Sequence, residues 1–218
     1  MLEILMGSGL AAAAGLNAYI PLLLVGLSSR FFDWVQLPPA WAWLGNEWVL
    51  VILGVLLIIE VVADKIPVVD SVNDWIQTIV RPAAGGILFG AGTTSQTAAI
   101  TDPASFFASN QWVPIVIGIL LALVVHAGKT FTRPVANAAT VGFAAPLLST
   151  LEDASSVVLS ILAILAPIFV ILGLGGLLVG LLALFRRGLR RRRSRASGTE
   201  NGVPDIPARH PVDEAEEN

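Results

Sequence analysis

Six stretches of this chain are long and apolar enough to leave little choice of environment. They are Ile4–Leu27, Trp48–Ile66, Pro82–Ile100, Trp112–Thr130, Pro134–Leu151 and Val157–Phe185. About 20 apolar residues in a helix cross the hydrocarbon core of a bilayer. Inside that core only helices or closed barrels satisfy every backbone amide. The expected fold class is therefore all-α: a polytopic membrane helix bundle of about six transmembrane spans. Composition agrees, because only 13% of the 218 residues are charged and 55% are hydrophobic, whereas soluble domains carry about 25% charged residues. Mean hydropathy is +0.78. The third and fifth stretches are weakly hydrophobic and rich in small residues, so a buried or partly re-entrant path suits them. The last exceeds one span; Pro167 kinks it, or the helix tilts or emerges into the cytoplasm.

Charge is partitioned along the chain. Seven of the 13 basic residues lie in Arg186–Arg195, and six acids follow from Glu200 onwards. The chain divides into a transmembrane helical domain (1–187) and a cytoplasmic, basic-then-acidic disordered tail (188–218). The Arg-rich run reads as a topology anchor that touches anionic lipid; nucleic acid is not an expected partner. With that run cytoplasmic, counting back through six spans places both termini inside. Lys65, Arg81, Lys129 and Arg133 then face the cytoplasm. The outer loops hold Asp102, Glu152 and Asp153, with Arg30 the exception. Phe31, Phe32, Trp34, Trp41, Trp43 and Trp48 fit an outer aromatic belt. The N-terminus has no basic n-region and is read as a retained helix. With no cysteine, disulfides, thiolate metal sites and thiol nucleophiles are excluded.

Spans one, three and five are dense in Gly and Ala, which lets backbones approach closely and suits the bundle interior. Spans two, four and six are rich in Leu, Ile and Val and suit lipid contact. Between spans two and three, Pro67–Arg81 predicts a short interfacial helix. Val68, Val69, Val72, Trp75, Ile76, Ile79 and Val80 form its apolar stripe, opposite Asp70, Asn73, Asp74 and Gln77. That polar face is acidic, so it is expected to meet protein, water or a cation. Arg81-Pro82 and Arg133-Pro134 are expected to open spans three and five, with Lys65 and Lys129 closing the spans before them. This suggests a two-helix repeat, with inverted three-span halves as the alternative.

Ionisable groups inside apolar segments carry the functional expectation, since each costs about 2.5–3.5 kcal/mol at mid-bilayer. Glu60 and Asp64 share a helix face at i, i+4, and Glu60 lies about 18 Å along its span from Trp48. It is either a proton or cation site, or an inward ion pair with Lys129, Arg133 or Arg81. Asp64-Lys65 can snorkel to water. His126, Lys129 and Arg133 stand at i, i+3 and i+7, one face that can meet a carboxylate or phosphate, with His126 able to shuttle protons. Lys129 and Arg133 can equally be positive-inside anchors. Asn137 would point inward from span five. Asn17 is a helix–helix hydrogen bond or a substrate contact. Glu152-Asp153 read as a solvated outer loop. His126 and His210 are the only histidines, so a histidine-rich metal centre is excluded; a carboxylate site for a hard cation is left open.

The stretch ADKIPVVDSVNDWIQTIVRP (Ala63–Pro82), the frame His126, Lys129, Arg133, Asn137, Glu152-Asp153, and GLNAYIPLL (Gly15–Leu23) resemble the domain of unknown function 4126 family of small bacterial integral membrane proteins. The likeness covers most of residues 7–155. The family's pattern has a proline- and glutamate-containing break after the asparagine; this chain has Thr140-Val141-Gly142 and Ala145 there. The resemblance implies a bacterial multi-pass membrane protein with a polar site, and no established activity.

Three functions follow. The first is an inner-membrane transporter or channel-like protein for a small polar solute or ion, with Glu60, Asp64, His126, Lys129 and Arg133 lining a cytoplasm-facing cavity. The second is a lipid-modifying or lipid-carrying protein in which Lys65, Arg81, Lys129 and Arg133 grip a headgroup phosphate. The third is a non-catalytic assembly protein whose charges serve helix packing. No cofactor is implied, an enzyme is not favoured, and a homo-oligomer is allowed.

Overall fold

The computed structural model describes residues 1–32, 35–65, 67–93, 110–140, 144–180, 182, 183 and 186; within its helices the side chains of 67, 68, 70–72, 132–140, 144 and 145 lie outside that set. So do Trp34, the loop around Asp102 and the whole tail expected at 188–218. Every regular element among the described residues is helical. They are α1 (Leu2–Leu16), α2 (Tyr19–Phe31), a 3-10 segment (Pro39–Gly45), α3 (Glu47–Ala63), α4 (Pro67–Thr93), α5 (Trp112–Thr140) and α6 (Ala144–Leu165). A last helix, α7 (Pro167–Gly180), opens with a 3-10 turn, Pro167–Phe169.

Two helices contain a stretch long and apolar enough to cross a membrane, Trp112–Phe131 in α5 and Pro146–Leu165 in α6. The 3-10 segment and α3, bent by 63°, make a third if the pair is one crossing. α1, α2 and α7 are shorter apolar helices.

Several expected boundaries move. The first apolar stretch is two helices, parted at Asn17. The interfacial segment Pro67–Arg81 is not separate: α4 runs unbroken from Pro67 to Thr93 with Pro82 inside it. Likewise α5 continues through Pro134 to Thr140 instead of restarting there. A proline removes one ladder bond and costs a helix about 3 kcal/mol, which packing of the flanking turns offsets in α4. Lys65 lies past the end of α3 whereas Lys129 lies inside α5, so the two Lys/Arg-Pro frames do not occupy matching places. Of the fifth stretch, 134–140 belong to α5 and 144–151 to α6, and 141–143 lie outside the described residues. The sixth is interrupted at Pro167, one of the alternatives expected for it, because this residue has no amide hydrogen with which to extend α6.

α1 sits at the centre, packed on α4, α5 and α6. All of Leu10–Leu16 is buried, as its run of alanines and glycines allows. Its small side chains bring backbones together: a Cβ on Gly15 would come within 2.6 Å of the Ala122 carbonyl oxygen, and one on Gly92 within 3.0 Å of Gly7 Cα. α4 and α5 meet still more closely, for a Cβ on Gly118 would collide with the Gly85 carbonyl oxygen.

Polarity is inverted relative to a water-soluble protein. On α3 the side chains of Val51, Ile52, Val55, Ile58, Ile59 and Val62 are exposed while Glu60 is buried. α4 turns Trp75 (79% exposed), Ile76 and Ile79 outward and Gln77 and Arg81 inward. The acidic face of the amphipathic segment thus meets protein, for the opposite stripe is the apolar one.

Packing at Gly118 gives a direct test. Replacing it with alanine would recover about 1 kcal/mol of helix propensity, but the collision is with backbone, and overpacking costs about 1–3 kcal/mol. Gly118→Leu is expected to lower the melting temperature of the detergent-purified protein. Gly54→Leu, whose Cβ would meet nothing within 4 Å, leaves it within the error of the wild type.

Candidate functional site

The site begins with the break between α1 and α2. Asn17 leaves the helical region (φ −146°, ψ 124°). Its Oδ1 then accepts from the amides of Tyr19 (3.0 Å) and Ile20 (3.1 Å), and Pro21 has no amide hydrogen to offer. Three consecutive residues therefore make no helical bond back across the break. The Leu16 carbonyl, left without a ladder donor, finds a side chain instead: Lys129 Nζ reaches it at 3.5 Å. The Ala13 oxygen keeps its ladder bond from the Asn17 amide and accepts a second one from Ser156 Oγ at 3.0 Å. The Asn17 amide nitrogen donates to Asp153 Oδ1 at 3.0 Å. One asparagine ends one helix, caps the next and ties both to α6.

Lys129 also pairs with Glu152 at 2.8 Å, with side-chain exposures of 2% and 13%. Glu152 and Asp153 are accordingly not a solvated outer loop. The helix that bears them starts at Ala144, which places them well inside it and against α1 and α5.

A second cluster lies alongside. Arg81 Nη2 donates to Glu60 Oε1 at 2.8 Å, and both side chains are sealed, at 0% and 1% exposure. Arg81 Nη1 lies 3.2 Å from His126 Nδ1, and His126 Nε2 lies 3.2 Å from Thr78 Oγ1. Thr78 Oγ1 in turn donates to the Asp74 carbonyl oxygen at 2.9 Å. A guanidinium only donates, so His126 Nδ1 accepts and the neutral Nε2–H tautomer is assigned by these bonds. The donors then run in one direction from Arg81 to Asp74. A proton added at Nδ1 breaks the bond to Arg81. Glu60 Oε2, Arg81 Nε and Gln77 Oε1 are buried with no hydrogen-bond partner among the described residues. The Tyr19 phenol lies beside Gln77 and within electrostatic reach of Glu60 and Arg81.

Asp64 joins the two clusters. It accepts from Asn73 Nδ2 (2.9 Å) and Ser149 Oγ (3.2 Å) and stands within electrostatic range of both Glu60 and Asp153.

Asn17, Glu60, Asp64, Asp74, Arg81, His126, Lys129, Glu152 and Asp153 are thus brought into one region. The partner of Glu60 is Arg81, and the cationic face expected of α5 is divided: His126 turns to α4 and Lys129 to α1 and α6. Lys65 stays apart, exposed, with its Nζ 3.5 Å from the Val61 carbonyl oxygen of α3. The side chains of Asp70, Arg133 and Asn137 lie outside the described residues. Thr78, Ser149 and Ser156 were not singled out from sequence. Thr78 and Ser149 stand three residues before Arg81 and Glu152, a helix-face signal that could have found them. Among the described residues no group of three or more histidines, cysteines and carboxylates could hold a metal ion. What the arrangement offers is alternating donors and acceptors around buried charge, fit to hold a proton or a small polar group.

Over residues 4–187 the chain matches the family described as Domain of unknown function (DUF4126), and it belongs to that family. No curated protein and no solved structure matches it.

Two stability tests follow from these bonds. Removing one member of a sealed ion pair costs about 3–5 kcal/mol, because the other charge stays buried alone. Glu60→Ala is therefore expected to destabilise strongly, and Glu60→Leu with Arg81→Met to recover most of that loss, read by unfolding in detergent. Asn17→Ala loses the cap, about 1 kcal/mol, together with its bond to Asp153. Asn17→Asp keeps the cap but sets two carboxylates 3.0 Å apart, so it is expected to be the worse of the two by the same measurement.

Proposed function

We propose that the protein is a multi-pass protein of the bacterial cytoplasmic membrane whose charged centre binds and moves a small polar solute or ion, with Glu60 or His126 carrying a coupled proton. Six crossings are the paired α1–α2, the bent 3-10 segment with α3, then α4, α5, α6 and α7. Both termini then lie on the cytoplasmic side, where Lys65 and Arg186 follow the positive-inside preference.

The observation that carries this reading is the interrupted first helix at a buried polar centre. Non-helical backbone at membrane depth is tolerated where it is buried in protein or lines a polar path, and discontinuous helices form the binding sites of many transporters. Here α1 stops at the point where Asn17, Lys129 and Asp153 converge. The linked bonds through Arg81, His126 and Thr78 run from the sealed carboxylate of Glu60 towards Thr78, which is exposed.

A grip on headgroup phosphate is less well supported. Arg81 is fully buried against Glu60 and Lys129 already holds Glu152. A purely structural role predicts that exchanging Lys129 and Glu152 preserves fold and phenotype alike.

Proteoliposomes carrying an interior pH dye decide the matter. An imposed pH gradient is expected to collapse faster with the wild-type protein than in empty vesicles. Glu60→Gln and His126→Gln are expected to slow that collapse about tenfold, equal to about 1.4 kcal/mol on the barrier. Folded variants with wild-type rates would overturn the reading.

A further inference from the structure

Three buried polar atoms of the charged centre meet no protein partner among the described residues: Glu60 Oε2, Gln77 Oε1 and Arg81 Nε. They lie in one corner. Oε2 shares its carbon with the Oε1 that Arg81 Nη2 holds at 2.8 Å, and Nε shares the guanidinium carbon with Nη2. Gln77 stands four residues before Arg81 on α4, and so on the same face of that helix. The Tyr19 phenol lies beside Gln77 and within electrostatic reach of Glu60 and Arg81. The Tyr19 amide is the one that Asn17 Oδ1 accepts at the helix break. Three helices, α2, α3 and α4, thus close on a polar corner next to that break.

The chemistry of these atoms specifies an occupant. Two of them, Glu60 Oε2 and Gln77 Oε1, accept hydrogen bonds, and Arg81 Nε only donates. A cation placed here would sit against the guanidinium N–H, and an anion would sit against the carboxylate. Glu60 and Arg81 already balance each other, which favours a neutral guest. That guest has to bring two hydrogens and one lone pair. An alcohol has a single hydroxyl hydrogen, and an amide brings a bulkier body. Glu60, Gln77 and Arg81 are each at most 1% exposed, so a small molecule is required. Water meets every condition. Buried waters typically make about three hydrogen bonds, to groups that would otherwise be left unsatisfied.

We infer that one water molecule is bound in this corner, donating to Glu60 Oε2 and Gln77 Oε1 and accepting from Arg81 Nε. It gives the centre a second side. Arg81 occupies Oε1, so a proton that Glu60 gains or loses passes through Oε2, the oxygen this water touches. One branch of hydrogen bonds then leads through Arg81 and His126 to Thr78, and the other leads through the water to Gln77, beside Tyr19. The proton role rests on the transport reading above, whereas the binding of the water rests on the geometry alone.

The test is X-ray hydroxyl-radical labelling of the full chain in detergent, in heavy-oxygen water, read by mass spectrometry. Radicals born at a bound water oxidise the side chains beside it, and Tyr19 is the only tyrosine of the chain. Phe89, packed near Gly118, is the control, since both rings are buried. Tyr19 is expected to be labelled faster than Phe89, and Gln77→Leu to lower its labelling to the Phe89 rate. Should Gln77→Leu not fold, Gln77→Met, closer in shape to glutamine, takes its place. Tyr19 labelled no faster than Phe89 in the wild type, or equally labelled in the folded variant, would overturn the inference. Vesicles separate the two ideas. Labelled Tyr19 in a protein that leaves an imposed pH gradient intact keeps the water and ends the transport reading. Collapse of the gradient with Tyr19 unlabelled keeps that reading and ends this one.

Discussion

The sealed contact between Glu60 and Arg81 is the constraint around which the rest is arranged. Taking two charges out of water is expensive, and their attraction offsets that cost only with good geometry and further hydrogen bonds. Arg81 gains one such bond from His126, which brings α5 to the pair already shared by α3 and α4. The outward faces of α3 and α4 are apolar for the same reason, since each helix has committed its polar side to this contact. Few sequences can satisfy such an arrangement, so helix register is fixed by electrostatics where outward-facing leucines and valines could slide.

The break at Asn17 is the complementary device. The bond that a continuous helix would make at the Leu16 carbonyl is handed to Lys129 of α5, and α6 is tied in through Asp153 on Asn17 and Ser156 on the Ala13 carbonyl. Lys129, Ser156 and Asp153 thereby read the state of α1 directly. Such a joint is stable while all its partners are in place and adjustable when one of them is engaged elsewhere, which a continuous helix is not.

Helical character and the inward turn of the charged side chains were legible in the sequence. Long apolar runs fold as helices in a bilayer, and groups as costly there as Glu60 and His126 turn away from lipid. The acidic face of Asn73, Asp74 and Gln77 was legible on similar grounds: an amphipathic stripe has to choose a side. Boundaries were not. Pro82 and Pro134 look like helix starts to local rules, yet both lie inside helices, and the α4 packing at Gly85 and Gly118 is a tertiary term that no local rule contains. Glu152-Asp153 were misplaced by a related error, since charges next to an apolar run look like its end. Only the third dimension shows Lys129 and Asn17 waiting for them. The choice of Arg81 as partner of Glu60, among three basic candidates, was likewise a matter of distance.

The burial of Leu10–Leu16 in α1 has a consequence for biogenesis. This segment leaves the ribosome before α4, α5 and α6, the neighbours that enclose it. Helices in a membrane insert first and associate afterwards, so in the membrane placement proposed above α1 would wait with the Asn17 amide and the Leu16 carbonyl unserved by their later partners, and its docking would be a late step of assembly.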